Sequence, residues 1–79
     1  MRVRLYAALR DAAGTSETLV QADRLSHLLD LLRARHGEPF ASRLSHASIL
    51  VSGEPVSHDE DVSLKDGDEI VLLPPFSGG

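Results

Sequence analysis

The chain contains no cysteine and no tryptophan, and Lys65 is its one lysine. Without a thiol there is no disulfide framework, no thiolate nucleophile and no cysteine-based zinc or iron–sulfur site. Aromatics are scarce, with only Tyr6, Phe40 and Phe76. Long hydrophobic runs are missing as well. The longest, Ile70 to Phe76, contains two prolines and cannot cross a bilayer. The stretch Leu5–Leu9, flanked by Arg4 and Arg10, is too short for the apolar region of a signal peptide. These absences give the expectation of a cytoplasmic protein with no membrane role.

Conventional catalytic equipment is also lacking. His27, His36, His46 and His58 show no metal-ligand spacing. The acidic stretch from Asp59 superficially suggests a calcium loop. Its sixth position is Leu64 where that loop needs glycine, and its twelfth is Ile70 where it needs a bidentate glutamate. No phosphate-binding lysine loop, dinucleotide glycine pattern or nucleophile elbow is present. No metal and no cofactor bound by this chain are expected, and a chain so equipped is not expected to be an enzyme on its own.

What remains is a small apolar payload in 79 residues and 8.5 kDa. Thirteen Leu, six Val and two Ile suffice for one modest core and exclude disorder by composition. Charge is unevenly spread. Residues 1–46 carry seven Arg against five acids, a balance of +2, whereas residues 47–79 carry only Lys65 against seven acids, a balance of −6. The acidic half repels nucleic acid. It either steers the domain toward a basic protein surface or is simply a solvated face.

Along the chain, Val3-Arg4-Leu5-Tyr6-Ala7 suits a strand with Val3, Leu5 and Ala7 on one face. Leu9–Ala13 reads as a short helical turn ending at Gly14, and Glu17–Gln21 as a second strand pairing back on the first. Leu25, Leu28, Leu29 and Leu32 fall at i, i+3, i+4 and i+7, the stripe of an amphipathic helix. Asp23 is the expected N-cap, Gly37 the left-handed stop, and Pro39 prevents continuation. Phe40–Ala47 is irregular or briefly helical, with Phe40 and Leu44 as core plugs. Ser48–Val51 is a strand that turns through Ser52-Gly53-Glu54-Pro55 into a short pairing around Val56. Lys65-Asp66-Gly67-Asp68 is a tight turn before a last strand, Glu69–Leu73. One helix laid across a small mixed sheet is the economical way to bury a single leucine stripe. The expected fold class is therefore α+β, a β-grasp (ubiquitin-like) domain over residues 1–73 with an extended tail over residues 74–79.

That tail is Pro74-Pro75-Phe76-Ser77-Gly78-Gly79. The prolines fix φ and favour a path projecting off the last strand. Six extended residues reach about 20 Å, enough to enter a partner's cleft. Glycines without side chains let a carboxylate pass a narrow channel and approach a bound nucleotide. Phe76 suits a docking anchor. A free carboxylate is a poor electrophile; an acyl-adenylate supplies the leaving group that sulfur or an amine needs. This chain has no ATP-binding machinery, so a partner must supply the activation.

Val3–Leu9 with Arg10-Asp11 and Gly14, the leucine helix, Val51–Val56, Leu64–Ile70 and the Pro-Pro…Gly-Gly tail together resemble the molybdopterin synthase small subunits, the MoaD branch of the MoaD/ThiS sulfur-carrier family. The resemblance spans essentially the whole chain. It implies that Gly79 is adenylated by an activating enzyme of the MoeB type, using ATP, and then carries sulfur as a thiocarboxylate. It implies that Gly78 threads a channel while Pro74, Pro75, Phe76 and Ser77 position the tail in a large catalytic subunit of the MoaE type. A hydrophobic sheet face, with Leu72 either in it or in the core, would dock these partners. Phe76 departs from the smaller aliphatics common at that place. Related carriers feed thiamine, tRNA thiolation or cysteine synthesis, and some are attached to proteins through isopeptide bonds.

Overall fold

The computed structural model describes residues 1–75. Eight elements follow in order: β1 (Arg2–Leu5), α1 (Ala7–Ala13), β2 (Glu17–Leu19), α2 (Leu25–His36), α3 (Phe40–Leu44), β3 (Ser48–Val51), β4 (Glu54–Val56) and β5 (Glu69–Leu73). The strands form one sheet in the order β2-β1-β5-β3-β4. β1 and β5 run parallel at its centre, and the other pairings are antiparallel. This is the β-grasp arrangement expected from the sequence, with two short helices, α1 and α3, beside the main one.

The leucine stripe explains α2. Leu25, Leu28, Leu29 and Leu32 are all buried and share one core with Val3, Leu5, Ile49, Ile70 and Leu72 from the inner face of the sheet. Phe40 and Leu44 of α3 are fully buried in the same core, the plugs expected from the sequence.

Three local expectations change. Asp23 does not cap α2; Arg24 holds the N-cap position without a side-chain cap. The cap comes from a distant loop, because Asp61 Oδ1 accepts the Ser26 N–H at 3.0 Å while Oδ2 accepts Arg24 Nε at 3.0 Å. Backbone bonds from Leu25 N–H to the Val62 carbonyl (3.0 Å) and from Leu64 N–H to the Asp23 carbonyl (2.9 Å) bring that loop alongside the helix start. Ala7 is not on the buried face of β1. The strand ends at Leu5, and Ala7 opens α1 with φ +51° and an exposed side chain. Gly37 ends α2 at φ +62°, ψ −153°, an extended conformation nearly confined to glycine, instead of the left-handed helical one.

The turn at Lys65–Asp68 forms as expected, with Gly67 at φ +95°. Asp68 clamps it by accepting the Lys65 N–H at 2.8 Å and the Ser52 hydroxyl at 2.9 Å. Those two hydrogen bonds, the backbone one foremost, hold its carboxyl below the ordinary carboxylate range. The outermost strands are both short. The Glu17 carbonyl of β2 accepts the Thr15 hydroxyl at 2.9 Å and the Leu19 carbonyl accepts Arg35 Nη1 at 2.8 Å. On the other edge, β4 has Pro55, which has no N–H, at its middle.

Candidate functional site: the outer sheet face and the exit of the last strand

Side chains alternate across a strand, so β5 presents two faces. Ile70 and Leu72 are fully buried beneath the helices. Leu72 therefore belongs to the core and not to a docking surface, which settles the alternative left open by the sequence. Val71 and Leu73 lie on the opposite face, half-buried and outside the core cluster. Register places Leu50 of β3 beside Val71, and Pro55 of β4 beyond Leu50. The result is a short apolar row across the sheet.

Charged residues bound that row on the β1 side. Arg4 lies next to Val71, and Arg2 next to Glu69. Arg4 Nε stands 3.8 Å from the Glu69 carboxylate and Arg2 Nε 3.1 Å from Glu17. The neighbouring Tyr6, reinforced by Glu69, raises the pKa of the Arg4 guanidinium further, so its positive charge is permanent. Tyr6 is itself exposed.

Pro74 and Pro75 continue from Leu73, the first half-buried and the second exposed. With Ala8, Leu9, Arg43 and His46 they line a groove of about 310 Å³. α1 and α3 build its other walls, and Arg43 Nη1 donates to the Ala8 carbonyl at 3.1 Å, holding the end of α3 against the start of α1. The structure thus brings Pro74 and Pro75 together with an apolar cleft at the exit of the central strand. The remaining sequence-predicted site residues, Phe76, Ser77, Gly78 and Gly79, lie outside the described residues.

Sequence reasoning expected a hydrophobic sheet face without naming Leu50, Val71 or Leu73, and it missed the groove. The row leaves a signal. A strand with one covered face ordinarily alternates apolar and polar residues, yet Ile49-Leu50-Val51 and Ile70-Val71-Leu72-Leu73 are apolar throughout. The groove leaves none, since α1, α3 and the tail supply its residues from three separate segments. Among the described residues no group of three or more His, Asp or Glu is placed to hold a metal ion, and no helix is long and apolar enough to cross a membrane.

The model of the ThiS family matches residues 3–79. The chain belongs to the ThiS family. Among members of known role it is similar to the molybdopterin synthase sulfur carrier subunit of Chlamydomonas reinhardtii, at 32% identity over 100% of this chain and 98% of the relative. Among solved structures, small archaeal modifier protein 1 from Methanosarcina acetivorans superposes with a TM-score of 0.76 at 31% identity, covering 99% of this chain and 94% of that one. Subunit 1 or 2 in the complex of molybdopterin-converting factor from Helicobacter pylori superposes at 0.73 with 27% identity, covering 99% and 96%. The resemblance drawn from the motifs is borne out over the full length of this ThiS-family chain.

Proposed function

We propose that this chain is the sulfur-carrying small subunit of a cytoplasmic molybdopterin synthase. The observation that carries this reading is the full-length similarity to the Chlamydomonas sulfur carrier subunit, together with a tail that leaves the central strand beside an apolar face. The Helicobacter complex of molybdopterin-converting factor subunits 1 and 2 supports a large-subunit partner. The outer row of Leu50, Val71 and Leu73 meets that partner's surface. Pro74 and Pro75 stiffen the root of the tail, Phe76 and Ser77 seat it, and Gly78 passes the narrowest part.

The chemistry takes place at Gly79. In an activating enzyme its carboxylate oxygen attacks the α-phosphate of ATP and pyrophosphate leaves. A hydrosulfide ion then adds to the acyl carbon, AMP departs with the bonding electrons, and loss of the S–H proton leaves a thiocarboxylate. In the large subunit this sulfur is passed to the acceptor. The chain binds no cofactor for these steps, and its contribution is presentation, not catalysis. A second reading, attachment to proteins, draws on the similarity to the Methanosarcina modifier. There a lysine ε-amine would displace AMP and an isopeptide bond would form.

Intact mass after incubation with an activating enzyme, ATP and a sulfur donor tests the first reading. The expected result is a gain equal to exchange of one oxygen for sulfur, localised to Gly79 and lost when Gly79 is deleted. An unchanged mass, with the enzyme competent on another carrier, sinks it. Higher-mass conjugates that survive reducing denaturation would establish the second.

A further inference from the structure

Arg4 borders the apolar row at Val71, and it also lines a separate cleft of about 230 Å³ where β1 ends and β2 begins. Leu5, Tyr6, Arg10, Ser16 and Glu17 complete the walls. Two guanidinium-bearing and two hydroxyl-bearing side chains thus surround a space below the size of ordinary ligand clefts, suited to one functional group. We propose that this cleft receives a carboxylate side chain of the protein that covers the outer sheet face, held between Arg4 and Arg10.

Three observations favour that occupant. Arg4 Nε is shut off from water and has no hydrogen-bond partner among the described residues. Buried donors are nearly always bonded, so an orphan of this kind marks a missing acceptor. The chain's own carboxylates do not supply it. Glu69 stands 3.8 Å from Arg4 Nε and Asp11 stands 3.7 Å from Arg10 Nε, both beyond hydrogen-bond distance. Glu17, the one acid lining the cleft, is drawn to Arg2 Nε at 3.1 Å. The cleft therefore keeps a positive balance that an anion complements.

The third observation is position. The Arg4 and Arg10 side chains are 41% and 54% exposed, so a group arriving from outside reaches them. Arg4 lies directly beside Val71, so a surface laid on Leu50, Val71 and Leu73 brings its own rim over the cleft. Guanidinium groups match the planar fork of a carboxylate, and a charged contact at the edge of an apolar patch fixes the register of docking. The identity of the covering protein as the large subunit rests on the sulfur-carrier reading; the preference of the cleft for a carboxylate does not.

Acetate, the simplest carboxylate, tests the cleft without a partner. In the full-length protein the arginine Nε–H signals are followed by nitrogen-15 NMR while acetate replaces chloride at constant ionic strength. Arg4 and Arg10 should shift along a saturable curve while Arg33 stays flat, and Arg4→Gln should remove the Arg10 response. Arg10→Gln, at an exposed helical position, gives the reciprocal test on Arg4 should Arg4→Gln fold poorly. Equal, unsaturable shifts at all arginines would overturn the proposal. So would a response to inorganic phosphate but not to acetate, or one that follows protein concentration and so belongs to a second copy. Against the large subunit, Arg4→Gln should dissociate about tenfold faster, as loss of one charged hydrogen bond predicts. Arg33→Gln removes the same charge elsewhere and should dissociate as the unsubstituted chain does. Equal rates for the two variants would also overturn the proposal. No binding by the unsubstituted chain sinks the carrier reading instead, and the acetate titration still decides the cleft.

Discussion

The two faces of the sheet are built from the same strands and have different duties. On the inner face Val3, Leu5, Ile49, Ile70 and Leu72 meet the α2 leucines and are almost wholly removed from water. On the outer face Leu50, Val71 and Leu73 remain half-exposed between Arg4, Glu69 and Pro55. Apolar side chains on the second face gain little on folding, since burial stabilises roughly in proportion to the area removed from water. A partner covering them would complete their burial. One face therefore specifies the fold and the other, on the proposed function, serves association, and substitutions should separate the two.

The largest effect is expected on the inner face. Leu28→Ala removes a fully buried side chain of α2 and should cost about 2–5 kcal/mol in urea unfolding, most of the stability of a domain this small. A loss under about 0.5 kcal/mol would mean that α2 does not anchor the core. Next comes the end of the same helix. At φ +62°, ψ −153° an L-residue is strained, so Gly37→Ala should destabilise by about 1–3 kcal/mol although a methyl there meets no neighbour.

The outer face should give the reverse pattern. Leu50→Thr with Val71→Thr preserves strand-compatible side chains and should change stability by less than about 0.5 kcal/mol. The same pair should weaken binding to the large subunit at least about tenfold by calorimetry, equivalent to about 1.4 kcal/mol. Unchanged affinity would show that partners do not use this face.

The smallest effect is in the pH dependence. Burial against Phe40, whose ring centroid is 4.8 Å away, and the neighbouring Arg35 both lower the His36 pKa. The unfolded chain then takes up the proton first. Stability is fully present above the ordinary value of 6.5, declines as pH falls below it, and levels off beneath the folded value. Asp61, held low by the Ser26 N–H and then by Arg24, has the same dependence at more acidic pH: its contribution is present above 3.8 and is lost as pH falls through the folded value. Urea midpoints measured against pH should show both steps, and His36→Gln should remove only the upper one.

The fold was legible where physics acts over short distances. The leucine period of α2 and the glycine in the Lys65–Asp68 turn follow from patterns within a few residues, and Phe40 and Leu44 stand out as the large apolar side chains of their short segment. The helix cap was not legible, because Asp61 reaches Ser26 from 35 residues along the chain and Asp23 offered a nearer candidate. Ala7 was misplaced because continued alternation past Leu5 resembles a strand, whereas the chain turns into α1 at that point. Of the candidate site, Pro74 and Pro75 could be read from the tail, but Arg43 and His46 reach their groove only when α3 packs beside α1.

The closed edges of the sheet matter for how such a molecule is kept. Open strand edges invite neighbouring copies to add on, and short proline-bearing strands or occupied edge groups prevent it. Here Thr15 and Arg35 occupy the outward carbonyls of β2, and Pro55 interrupts β4. A cell can hold a reserve of this protein without copies stacking into a continuous sheet, and a solution of it should stay monodisperse on concentration.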